Sequence, residues 1–146
     1  MTTSPKGIAL LKSLESCKLQ SYQDSKGVWT IGYGHTTNVV EGMSCAQAEA
    51  DIWLVQDLVE TEGKVSRVVK VPLSQNQFDA LVCFTFNVGH VGETMLKKLN
   101  FGDYSGAAGE FQRWIKSANK VVRGLENRRL REMELFEGKE DDKDVR

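Results

Sequence analysis

Two carboxylates and a hydroxyl, Glu15, Asp24 and Thr30, fall within one short stretch of the chain, Glu15 to His35. Two carboxyl groups in different surroundings can divide proton donation and charge stabilisation between them at neutral pH. In glycoside hydrolysis one stays protonated to feed the leaving oxygen, while the other stays ionised beside the sugar. A chain reversal lies between Glu15 and Asp24, so both can face one cleft. Taken alone the pair is unspecific, because 20 acidic residues in 146 generate many such spacings. Other chemistries have less to stand on. Ser/His/Asp catalysis would need His35 or His90, and neither lies in a nucleophile elbow. His35, at a strand end, is expected to make a structural hydrogen bond, and His90 to lie at the surface. With no HExxH, P-loop or GxGxxG pattern, no metal and no cofactor is expected.

The elements that must position these groups can be read from periodicity. Ser4-Pro5 predicts a helix start, Ser as cap and Pro in the first turn. Ile8, Leu11 and Glu15 share one face of that helix, beside a stripe of Leu10, Leu14 and Cys17. Glu15 therefore ends an apolar line, either exposed by fraying or held in a partly desolvated pocket. From Leu19 the period changes to two. Asp24-Ser25-Lys26-Gly27 predicts a turn, after which Trp29, Ile31 and Tyr33 point one way and Val28, Thr30, Gly32 and Gly34 the other. That second face is nearly bare. Its glycines either let a ligand approach the backbone or accommodate a bulge.

Ser44 to Gln47 has the form of a capping box. It opens a long helical pattern through Ile52, Val55, Leu58 and Val59 toward Val65 and Val69, ended by Pro72. Ser74 caps a nearly all-apolar helix that Gly89 closes, which belongs at the centre of a lobe. Further helices are expected at about 93–99, 105–115 and 124–136. The expected architecture is α+β, mainly α: a small β-hairpin lobe (about 16–60) joined by a long helix to an all-helical lobe (about 1–15 and 61–138). A polymeric ligand would sit between the lobes. The end, 139–146, is nearly devoid of apolar residues and is expected to lack structure.

Composition narrows the class. The chain has 40% apolar and 27% charged residues and a net charge of −1, as in ordinary globular domains. No apolar run is long enough to span a membrane, and the first residues lack the charged and apolar regions of a secretory signal. Cys17, Cys45 and Cys83 form no metal-type pair and are expected to be free, mostly buried thiols. Residues 112–131 hold seven bases against one acid, whereas 132–146 hold seven acids against three bases. The basic segment suits either an anionic polymer, such as nucleic acid or a cell-wall glycan, or a solvated helix face.

The same stretch resembles a known family. Leu14-Glu15, Leu19, Tyr22, Asp24, Gly27 and Thr30-Ile-Gly-Tyr-Gly-His-Thr36 match, in order and spacing, the signature of the bacteriophage lysozymes (endolysins) of glycoside hydrolase family 24, the family of the T-even phage lysozyme. Residues 72–81 and 86–89 resemble its central helix, and 124–132 its C-terminal helix. The resemblance implies a two-lobed lysozyme fold and cleavage of the β-1,4 bond between N-acetylmuramic acid and N-acetylglucosamine in peptidoglycan. Carried over by position, Glu15 is the general acid, Asp24 holds negative charge and helps place water, and Thr30 orients that water. The family's inversion of the sugar needs carboxyls ~6.5–9.5 Å apart, with room for water between them. Thr36, Phe86 and Asn87 match substrate-contacting positions, and Arg128 matches an arginine paired with the acid. Gly32 and Gly34 would clear the strand for a sugar ring, with His35 supporting it. The implied partners are peptidoglycan and, functionally, a holin that lets a monomeric enzyme out of the host cytoplasm to the wall. Nucleic-acid binding and membrane insertion are not expected. Two rival readings remain: a lytic transglycosylase using Glu15 alone, and a non-catalytic wall-binding module.

Overall fold

The computed structural model describes residues 1–139. Most of the segment expected to lack structure, 140–146, lies outside the described residues. Helix α1 (Pro5–Leu14) starts where expected, with the Ser4 side chain accepting from the Gly7 N–H. Its far end is tied down by buried polar groups. The buried Asp79 carboxylate accepts from the Ser4 N–H at 3.0 Å, from the Ser4 hydroxyl and from Gln75 Nε2 at 2.8 Å. Glu62 accepts from both the N–H and the hydroxyl of Thr3, at 2.7 and 2.6 Å. A helix anchored at its N-terminus presents whatever follows its C-terminus at a fixed place. Here that residue is Glu15.

Strands β1 (Lys18–Gln23) and β2 (Trp29–Gly32) form the expected antiparallel hairpin, pairing Tyr22 with Thr30 and Gln23 with Trp29, with a register irregularity toward Lys18. The turn closes through Gly27, at φ +81°, whose N–H donates to the Asp24 carbonyl at 2.9 Å. Helix α2 (Gln47–Val68) runs 22 residues, a span of about 33 Å at ~1.5 Å per residue. It starts later than the Ser44 capping box predicted, because Ser44 bridges to Gln20 at the sheet edge. Ala46 takes the cap position, and Glu49 reaches back to its N–H at 3.0 Å. The buried face of α2 is Ala50, Leu54, Leu58, Thr61 and Val65. Ile52, Val55 and Val59, expected on that face, are more than half exposed. Apolar residues occupy both sides of this helix, so hydrophobicity alone did not select the correct one.

Helix α3 (Gln75–Val88) is central, as its all-round apolar surface predicted. Its cap at Ser74 and its left-handed terminus at Gly89, φ +103°, are both where expected. Phe78, Ala80, Leu81, Val82, Cys83 and Phe84 are fully buried against α1, α2 and the C-terminal helices. Each large apolar side chain buried in this way contributes about 1.5–3 kcal/mol. Helix α4 (Glu93–Asn100) follows. The helix predicted at 105–115 ends early: α5 covers Tyr104–Glu110, and Phe111–Arg113 tighten into a single 3-10 turn. A second hairpin, β3 (Lys116–Ser117) and β4 (Lys120–Val121), was not anticipated. Its turn residues Ala118 and Asn119 both have positive φ, as a two-residue hairpin turn requires. Helix α6 (Arg123–Phe136) closes the lobe. Of the three free cysteines only Cys83 is buried; Cys17 and Cys45 are half-buried, short of the expectation.

Candidate active site

A cleft of about 800 Å³ opens between the hairpin side and the helical lobe. Glu15 and Asp24 line one side with Tyr33, Gly34, Thr36 and Thr37. Thr85, Phe86, Asn87 and Gly89 from the end of α3 line the other, and α2 lays Gln56, Asp57, Glu60, Thr61 and Lys64 along its floor. Glu15 sits at the residue where helix becomes strand, with backbone already extended (φ −100°, ψ 141°) and its N–H still bonded to Leu11. Its side chain is 24% exposed, so one edge meets the cleft and the other the protein. On the protein side Arg128 Nη1 donates to Glu15 Oε1 at 2.8 Å, the pairing the resemblance implied.

Arg128 does not serve Glu15 alone. Its Nε donates to Glu132 Oε2 at 3.1 Å and its Nη2 to the Cys83 carbonyl at 3.0 Å. Burial works against the guanidinium charge, but its surroundings, with the carboxylates of Glu132 and Glu15 among them, outweigh this and hold it above its ordinary range. Burial, joined by Glu132, pushes the neighbouring Cys83 thiol well above its usual range. The thiol is therefore a neutral packing group at physiological pH.

Asp24 is held by its own turn. Oδ1 accepts from the N–H groups of Lys26 at 2.8 Å and Val28 at 2.9 Å. Those two bonds fix the carboxylate on the turn that borders the cleft.

Two expectations change. Thr30 is 4% exposed, and its Oγ1 donates to the Val28 carbonyl at 2.9 Å. With that proton spent, the hydroxyl can hold a water only as an acceptor. Gly32, at φ +65°, does not clear space for a ligand. A Cβ there would lie 3.2 Å from Ala50 Cβ, so its bareness lets α2 approach the strand. Gly34, at φ +90° with open space around it, is the one of these two glycines that faces the cleft. His35 fills the structural role expected of it. Its Nδ1 meets Asp57 Oδ2 at 2.8 Å, and its ring stacks on Trp53 at 4.7 Å.

The structure also adds residues that the sequence reading passed over. Gln56, Glu60 and Lys64 recur at four-residue steps along α2, a polar stripe aimed at the cleft. That period is present in the sequence, interleaved with the apolar positions of the same helix. Arg129 and Glu132, at the junction of the basic and acidic segments, carried no signal as charges. Both are fully buried, and Arg129 Nη1 donates to Glu132 Oε1 at 2.7 Å.

The arrangement is similar to known proteins at every level of comparison. A family model described as phage lysozyme matches residues 12–132. An endolysin of Acyrthosiphon pisum secondary endosymbiont phage 1 is 42% identical over 144 residues, covering 94% of this chain and 99% of that protein. A crystal structure of a P22 lysozyme mutant superposes with a TM-score of 0.86 at 38% identity, covering 93% of this chain and 98% of that one. The muramidase domain of SpmX from Asticaccaulis excentricus gives a TM-score of 0.85 at 36% identity, covering 92% and 97%.

Proposed function

The chain belongs to the phage lysozyme family, and we propose that its cleft hydrolyses the β-1,4 bond between N-acetylmuramic acid and N-acetylglucosamine with inversion. The observation that carries this reading is Glu15 and Asp24 on one side of a single cleft, each held by the protein through one oxygen. Glu15 Oε1 is engaged by Arg128, so Oε2 is the oxygen that carries the proton to the glycosidic oxygen. As the C1–O bond breaks, positive charge develops on the ring, and the Asp24 carboxylate stabilises it. Water enters from the Asp24 side, gives up its proton there, and bonds to C1 on the face opposite the leaving sugar. Thr30 supports that water by accepting one of its hydrogens. Thr36, Phe86 and Asn87 hold the flanking sugars.

The products test this reading directly. Proton NMR of freshly cleaved soluble glycan strands is expected to show the α anomer first. A β product would remove inversion, and 1,6-anhydromuramic ends by mass spectrometry would replace hydrolysis with transglycosylation. For delivery, the enzyme accumulates inside the host and reaches the wall through lesions made by a holin. Rapid lysis of cells expressing the chain without a holin would overturn that part.

A further inference from the structure

The buried ion cluster that holds Glu15 also reaches the opposite wall of the cleft. Arg129 is fully buried and fixed on all sides. Its Nε donates to the Trp114 carbonyl at 2.9 Å, its Nη1 to Glu132, and its plane lies 5.0 Å from the Phe84 ring centre. The remaining nitrogen, Nη2, donates to Asn87 Oδ1. A guanidinium has donors only. The Asn87 amide therefore has one allowed orientation, since a flip would set its NH₂ against the N–H groups of Arg129. With the oxygen engaged inside, the end offered to the cleft is Nδ2 and its two hydrogens.

We propose that Arg129, clamped by Glu132, is a positioning residue that locks Asn87 as a hydrogen-bond donor toward the cleft, selecting a substrate group that can only accept there. In the wall polymer that group is an amide carbonyl oxygen, of an N-acetyl substituent or of a stem peptide. The inference rests on the cleft being the glycan site. Packing alone does not call for this cluster. Two apolar side chains of similar volume would fill the same space without the desolvation cost of two buried charges. They would not orient the amide.

The test uses the full chain and soluble glycan strands, following reducing ends. Asn87→Asp keeps an acceptor for Arg129 and replaces the NH₂ facing the cleft by an oxygen, turning donor into acceptor on an exposed residue. Its KM is expected to rise about tenfold with kcat changed by no more than about twofold, the size of one lost ligand hydrogen bond. Arg129→Met, which leaves Glu132 paired with Arg128, frees the amide to flip and is expected to raise KM about threefold. Strands stripped of stem peptides by an amidase identify the acceptor: a penalty that persists assigns it to the N-acetyl group, and one that disappears assigns it to the peptide. Either outcome supports a donor at position 87. An unchanged KM for Asn87→Asp on intact strands overturns the proposal while leaving the muramidase reading in place. If the unmodified chain releases no reducing ends, the reading of the cleft fails and the proposal with it.

Discussion

Replacing Arg128 by Met should damage stability and catalysis together, by amounts the structure sets. Arg128 is 5% exposed and donates to Glu15, Glu132 and the Cys83 carbonyl at 2.8, 3.1 and 3.0 Å. Methionine fills much of the same volume, so little cavity penalty is added. The loss is electrostatic: the Cys83 carbonyl loses the Arg128 donor, and Glu132 loses one of its two arginines. Breaking a buried pair from one side costs about 3–5 kcal/mol. Because Glu132 keeps its 2.7 Å bond to Arg129, the lower end, ~3 kcal/mol, is expected. At ~2–4 °C per kcal/mol for a domain of this size, the midpoint of thermal unfolding should fall by about 6–12 °C. Glu15 also loses the clamp on Oε1, and a displaced catalytic group can cost about 10²-fold in rate. Urea titration gives the stability, and initial rates on soluble glycan strands give kcat. A loss below ~1 kcal/mol with kcat unchanged would refute the claim that Arg128 is the joint between core and acid.

Gly7→Ala should destabilise the protein despite the ~1 kcal/mol that alanine ordinarily adds to a helix. Its Cβ would lie 2.7 Å from Asp79 Cγ and 2.8 Å from Thr3 Cγ2; a variant as stable as the parent by urea titration would show that this contact opens freely. Cys83 predicts a pH effect. Its thiol is raised in the fold, so the unfolded chain releases that proton first and gains on the folded state as pH rises above the free value of 9.0. Below that value the contribution is fully present. Between pH 9 and 10 the parent should lose up to about 1 kcal/mol more than Cys83→Ala in urea titrations, and parallel pH curves would contradict it.

Much of this fold was legible because local rules and tertiary packing agreed. Ser4, Ser74 and Gly89 each cap a helix by chemistry that acts within a few residues. Asp24 and Gly27 make their turn in the same way. The exceptions lie where a distant contact decides. Ser44 is drawn into a bridge with Gln20 instead of capping α2. Ile52, Val55 and Val59 have the spacing of a buried stripe, yet the lobe packs against Ala50, Leu54 and Leu58. Gly32 is bare for the sake of α2, not of a ligand. Within the site, Glu15 and Asp24 were readable from their surroundings in sequence. The burial of Arg129 and Glu132 was not, because charge spacing on a helix does not say which charges face inward.

The central claim is that Glu15 carries the proton that breaks the glycosidic bond, and Glu15→Gln tests it most directly. Glutamine can still accept from Arg128 through its amide oxygen, so the fold and the cleft wall should survive, with an unfolding midpoint within a few degrees of the parent's, about what a 1 kcal/mol change produces. Release of reducing ends from purified peptidoglycan should fall at least ~10³-fold in that folded variant, the upper part of what a positioned acid supplies plus its lost charge. A folded Glu15→Gln protein that releases reducing ends at the parent's rate would contradict the account.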